Sequence, residues 1–319
     1  MKRRSFMGVL GAGMVAAAGV ARAQGAPTRI VVGATPGGGT DTVARLLAAE
    51  LGKYMGGGTF VVDNKPGAGG NIAAQTVAHA DPDGRTLLVC YTSHAINATL
   101  YDNLAYDPVK SFQPVSYLAT APSFLVAHPS VKATTLPELI ALAKAQPGTL
   151  NMALPGIGSA GHLGAEVLKR EAGIDLVLVP YKGTAPAMTD LLGGQVQLMF
   201  AGAAIAKAQI EARKVNALAV SSAARMEIMP SVPPVADTLP GYDFSAWYGV
   251  LGPAGMDKTY AGKLSQATGK ILADPVNRRR LLDEGLIATG STPDGFRDFL
   301  VTEVERWGKV VRESNARAG

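Results

Sequence analysis

Four times along this chain a short β-favouring run breaks at a glycine-rich turn and gives way to a helical pattern. The turns are Pro36 to Thr42, Pro66 to Asn71, Pro155 to His162 and Tyr181 to Pro186. A helix start presents main-chain N–H groups that lack intrahelical partners, together with a partial positive charge. Glycine lets a ligand come close to the main chain. The combination makes a seat for an anion such as a carboxylate. Any single turn is better explained by simple capping, since Thr40, Asp41, Ser159 and Thr184 all suit N-cap positions. The set argues for an anion-binding cleft, because parallel sheets gather such turns at the carboxyl ends of their strands.

The runs between the turns predict α/β layers with largely parallel sheets. Strands are expected at 29–32, 59–62, 87–91, 124–127, 150–154, 176–179, 196–200 and 217–220, with a late β segment at 244–251. Helical spacing appears at 43–51, 72–77, 136–145 and 163–168, in a segment closing at Gly193-Gly194, and through most of the tail from Lys258. Roughly 300 residues beyond the leader described next suit two domains better than one. No low-complexity linker separates them, so the chain is expected to cross between domains more than once.

Residues 1–23 read as an export leader. Lys2-Arg3-Arg4 precede an apolar stretch from Gly8 to Val20, and Ala21-Arg22-Ala23 offers a cleavage site. Arg3-Arg4-Ser5-Phe6-Met7 resembles a twin-arginine signal, and an ordinary Sec signal fits as well. Both place the mature protein in the periplasm, cut near Ala23. The leader carries Lys2, Arg3, Arg4 and Arg22 and no acidic residue, so the formal charge of +5 falls to about +1 without it. Arg278-Arg279-Arg280 is the one dense basic run and reads as a solvated helix face, so no nucleic-acid partner is expected. The single cysteine, Cys90, sits in a buried-strand pattern and reads as an inert core thiol.

Ser159 and His162 lie three residues apart at a helix start, but Ile157 stands where a nucleophile elbow needs glycine. A cap and a ligand-facing imidazole fit better than a catalytic pair. His79, His94, His128 and His162 show no metal-ligand spacing. Gly156 to Gly161 matches Gly-x-Gly-x-x-Gly after a strand, and Asp175 lies near the spacing of a ribose-binding acid. An exported NAD(P)-dependent oxidoreductase using that loop is therefore the alternative function.

Longer stretches carry a family likeness. They are Pro36 to Arg45, Val62 to Asn71, Ala80 to Leu87, Gly158 to Leu163, Val179 to Pro186, Asp190 to Val196 and Trp247-Tyr248-Gly249-Val250. In order and spacing the sequence resembles the Bug family, the receptors of tripartite tricarboxylate transport systems. The resemblance implies a two-lobe periplasmic binding protein of the Venus-flytrap, type II-like kind, each lobe a mostly parallel sheet flanked by helices. Lobe 1 would comprise 24–122 and 248–319, and lobe 2 would comprise 123–247. It implies a monomer with no catalysis, cofactor or metal, a small organic acid as ligand, and a membrane permease as partner. The acid classes are di- and tricarboxylates, acidic amino acids and aromatic acids. Carried over by position, the ligand residues are Gly38, Thr40 and Asp41 on one lobe, and Gly158, Ser159, His162, Lys182, Gly183 and Thr184 on the other. Thr92, Ser93 and Asn97, just after a strand, are expected to line the cleft too.

Overall fold

The fold is taken from a computed structural model that describes residues 26–314, 316 and 317. The expected leader, 1–23, lies outside the described residues.

The first half begins with β1 (Thr28–Val32), whose last three residues are fully buried, and α1 (Gly39–Tyr54), which turns Val43, Leu46, Leu47 and Leu51 inward. It continues through β2 (Phe60–Asn64), α2 (Asn71–Ala78), β3 (Thr86–Tyr91) and α3 (Ser93–Leu100). The long β4 (Phe112–Ala127) leads into the second half. That half holds α4 (Leu136–Ala145), β5 (Asn151–Leu154), α5 (Ala160–Ala172), β6 (Val177–Pro180), α6 (Thr184–Leu192), β7 (Leu198–Gly202), α7 (Ala203–Glu211) and β8 (Asn216–Val220). The chain returns along β9 (Ser245–Pro253) and finishes with α8 (Lys258–Ala273), α9 (Pro275–Asp283), β10 (Ile287–Ala288) and α10 (Pro293–Ser314).

Strand order is β2-β1-β3-β9-β4-β7-β5-β6. The two outer triplets, β2-β1-β3 and β7-β5-β6, are parallel, as the strand–turn–helix pattern requires. The joining strands β4 and β9 run antiparallel to each other and to their neighbours, so the complete sheet is mixed. Strand β4 serves both halves. Phe112 to Pro122 pairs with β9, and Ser123 to Ala127 pairs with β7. Register shifts near Ser116 and Tyr117–Ala119 interrupt the β4–β9 ladder, the irregularity that lets a strand bend.

Each half packs its own apolar side chains. Val43, Leu46 and Leu47 meet Leu264 and Ile271 in one, and Phe124, Val126 and Met199 meet Met188 and Leu191 in the other. Helix α10 lies across α3, β4 and α5 and ties the halves together. At its centre Glu303 is buried, and its Oε2 accepts the indole N–H of both Trp247 and Trp307, each at 2.7 Å. Arg306 Nη1 donates to Glu303 Oε1 at 3.2 Å. A buried carboxylate is tolerable only with such partners.

Cys90 is 2% exposed, and its Sγ donates to the Gly249 carbonyl at 3.4 Å. Burial pushes its thiol far up from the ordinary range, which bears out the core reading. Among the described residues no helix is long and apolar enough to cross a membrane.

Candidate functional site

Parallel pairing puts the carboxyl ends of β1, β2 and β3 on one edge of the first triplet and those of β5, β6 and β7 on one edge of the second. After every one of these six strands a helix begins within a few residues: α1, α2 and α3 on one side, α5, α6 and α7 on the other. The crevice between two such edges is where ligands bind in open α/β sheets.

The turn after β1 is held by Asp41. Its Oδ2 accepts the Gly37 main-chain N–H at 3.0 Å and the Arg45 Nε–H at 2.7 Å, and its Oδ1 accepts from Asn64 Nδ2 at 3.0 Å. Burial alone would raise this carboxyl, but the hydrogen bonds from Arg45, Gly37 and Asn64 outweigh it and hold it below its usual range. Asp41 and Thr40 are buried, so they shape the turn, while Gly37 and Gly38 stay exposed at the helix start with no side chain over them. Asn64 also donates to the Ala34 carbonyl at 3.1 Å, linking the β2 end to the same turn.

On the facing edge, Gly183 (φ +115) caps α6, and its N–H donates to the Pro155 carbonyl at 2.9 Å. That bond joins the Thr184 turn to the turn after β5. There Ser159 caps α5: its Oγ accepts the His162 N–H at 3.2 Å and donates to the Gly156 carbonyl at 2.6 Å. His162 is buried, with Nδ1 accepting the Gly158 N–H at 3.2 Å and Nε2 lying 3.8 Å from Glu166 Oε1. Burial lowers its imidazole below the ordinary value, so the ring is neutral with its hydrogen on Nε2.

The two edges touch at the turn after β5. Ser93 Oγ donates to the Gly158 carbonyl at 3.3 Å. Gly158 has φ +70, and a Cβ on it would fall 2.3 Å from Leu100 Cδ2, so the closest approach to this glycine is by α3. Thr92 Oγ1 accepts the Trp247 main-chain N–H at 2.9 Å. Asn97 Nδ2 donates to the Gly69 carbonyl and to Asn71 Oδ1, at 3.1 and 2.7 Å. Thr92 and Asn97 therefore hold the crevice walls in place.

Between the two halves lies a cavity of about 260 Å³. Gly37 to Gly39 from the first half face Thr184 and Gly202 to Ile205 from the second. Three helix starts, those of α1, α6 and α7, thus border one space. Of the residues singled out from sequence, Gly38 and Thr184 line it. Gly158, Ser159 and His162 belong to the adjoining turn, and Lys182 is exposed and outside the lining. Ala121, Pro122, Tyr248 and the Glu284–Leu286 turn complete the walls, and none of them was among the expected ligand residues. Burial pushes the Tyr248 phenol up to about 12, so its hydroxyl keeps its proton.

The dinucleotide alternative gains no support. The Gly158 main chain is spent on His162 and Ser93, and Asp175 accepts the Gly148 N–H ahead of β5. Asp175 therefore sits at the opposite end of the strands from the Gly156–Gly161 turn, where no pyrophosphate-binding arrangement needs it.

Comparison with known proteins agrees. Residues 43–316 match the model of the tripartite tricarboxylate transporter family receptor. The periplasmic binding protein BugD superposes with a TM-score of 0.79 at 33% identity, over 91% of this chain and 98% of its own. An R. palustris protein solved with adipate gives 0.82 at 33%, over 91% and 98%. MatC from Rhodopseudomonas palustris, solved with malate, gives 0.77 at 34%, over 89% and 98%. A two-lobe fold with the crevice described above and this match over most of its length identify the chain as a solute-binding receptor of the tripartite tricarboxylate transporter family, within the Bug group.

Proposed function

We propose that the protein captures a small organic acid in the crevice between its lobes and presents it to a membrane permease of the tripartite tricarboxylate type. The observation that carries this reading is the cavity bordered by Gly37–Gly39, Thr184 and Gly202, where three helix starts offer main-chain donors to one carboxylate. Gly38 and Thr184 are assigned to ligand contact, with Gly183 capping the helix that Thr184 begins. Gly158, Ser159 and His162 form the adjoining wall with Ser93, and Lys182, exposed and outside the lining, is given no contact. Thr40, Asp41, Thr92 and Asn97 act on the ligand through the turns they fix. Relatives solved with adipate and malate support an aliphatic acid.

The lobes are assigned as 24–122 with 248–319, and 123–247. Contacts made only in the closed state bias an open–closed equilibrium, and the closed form is the one the permease receives. The family is periplasmic, and residues 1–23 are assigned as the export leader, so periplasmic material should yield a mature N-terminus near Gln24 by mass spectrometry.

A thermal-shift screen of the mature chain against di- and tricarboxylates, acidic amino acids and aromatic acids tests the reading. A bound acid at 100-fold its Kd stabilises the fold by about 2.7 kcal/mol. Micromolar affinity, about −8 kcal/mol, is expected for the preferred acid. If no acid in these classes moves the transition, the carboxylate reading is wrong.

A further inference from the structure

Successive side chains of a strand point to opposite faces of the sheet. On β9, Trp247 turns to α10, where its indole donates to Glu303. Tyr248 turns the other way and packs on the core that α1 and α8 cover, with Val43, Leu47 and Leu264. Its ring runs up to the first turn of α1. A Cβ built on Gly39 would fall 2.4 Å from the Tyr248 hydroxyl oxygen, so the phenol ends against the first residue of that helix. Both residues line the cavity.

Two kinds of donor thus stand side by side. The main-chain N–H groups of Gly38, Gly39 and Thr40 have no hydrogen-bond partner among the described residues. The Tyr248 hydroxyl has none either, and burial keeps its proton on. Tyr91, which faces Tyr248 in the β3–β9 ladder, is different: its hydroxyl donates to the Gly33 carbonyl at 3.3 Å. A hydroxyl drawn out of water needs an acceptor, and a carboxylate has two oxygens that only accept. An acid seated on the α1 N–H groups brings one of those oxygens to the phenol. We propose that Tyr248 is a ligand-binding residue of this receptor, its hydroxyl donating to the same carboxylate that the start of α1 holds. The proposal rests on the carboxylate reading of the cleft. A hydrogen bond to a charged acceptor is stronger than one between neutral groups, and its loss is expected to weaken binding roughly tenfold.

The test begins with calorimetric titration of the mature protein with adipate, malate, citrate, glutamate and benzoate. Tyr248→Phe and Tyr91→Phe are then titrated with whichever of these acids the parent binds most tightly. Tyr248→Phe keeps the ring and its packing, so its ligand-free melting temperature should match the parent's while its affinity falls roughly tenfold. Tyr91→Phe should keep the parent's affinity, because that hydroxyl is spent on Gly33 and lies outside the cavity lining. Nuclear magnetic resonance of protein labelled with carbon-13 at the tyrosine Cζ gives a second readout. Of the nine tyrosine signals, the one missing from Y248F should move toward the phenolate position as the acid is added. Unchanged affinity in Y248F overturns the proposal, and so does an equal loss in Y91F or a Tyr248 signal that stays in place. In all three cases the carboxylate reading survives. Binding of none of the five acids by the parent removes the carboxylate reading, and the proposal with it.

Discussion

A Cβ built on Gly285 would lie 2.6 Å from the Cβ of Ala203, although the two residues follow strands of opposite halves of the sheet. The α9–β10 turn therefore touches the first residue of α7 across the mouth of the cavity, and only glycine permits it. Gly285 also has φ +73. Gly285→Ala should act as a wedge, holding the lobes apart. The backbone part of its cost, about 1–2 kcal/mol, is shared by Gly173→Ala, where φ is +60 and nothing lies within 4 Å. Both variants should lower the melting temperature by several degrees, and only G285A should weaken acid binding, by roughly tenfold. Equal affinity in the two variants would show that this contact has no part in closure.

Asp41 is expected to contribute to acid sensitivity. Its carboxyl is held below its usual range in the fold, so the unfolded chain binds the proton first as pH falls. The stability it supplies is complete above about pH 4 and is lost as the pH drops through its lowered folded value. Asp41→Asn should cost about 1–3 kcal/mol at neutral pH, because one of the three donors now meets an amide hydrogen. Urea unfolding across the acidic range should show a shallower decline in D41N than in the parent.

His162 titrates in a higher window. Burial lowers its folded value below the ordinary one, so the unfolded chain takes the proton first. Stability is full above about pH 6.5 and falls as the pH descends from there toward the lowered folded value. His162→Gln retains an acceptor for the Gly158 N–H and removes the titration. Melting curves between about pH 7 and pH 5 should converge for the two proteins in the way this predicts, the parent losing more stability than H162Q.

The turn after β5 separates capping from packing. Ser159→Ala should cost about 1 kcal/mol through loss of its cap bond to His162. Gly158→Val places a branched side chain at φ +70 against Leu100. Backbone strain of about 1–2 kcal/mol adds to overpacking of about 1–3 kcal/mol. Chemical denaturation should rank G158V well below S159A with no ligand present, so loss of binding in G158V reads on the fold as well as on the site.

Local chemistry explains which parts were legible in sequence. Gly-rich turns announced the starts of α1, α2, α5 and α6, because positive φ at Gly37, Gly70, Gly158 and Gly183 demands glycine. Helix α3 follows Thr92, itself in ordinary helical backbone, and α7 follows Gly202 at φ −55, so neither start leaves such a mark. The first part of β4 carries Pro114 and Pro122, which argue against a strand until pairing with β9 is known. Tyr248 and Glu284 reach the cavity through long-range pairing of β9 and through the turn before β10, and no nearby residue encodes that.

The shared strand β4 also governs how this architecture can be taken apart. Its Phe112 to Pro122 stretch is held by β9 and its last residues by β7 and β8, so a cut within β4 ends one ladder and begins another in the middle of a strand. A cut moved to either side of β4 leaves β9, or β7 and β8, without that partner, and an unpaired edge is the template on which chains aggregate. Ligand preference in this fold is therefore more readily changed turn by turn at the strand ends than by exchanging one half of the sheet.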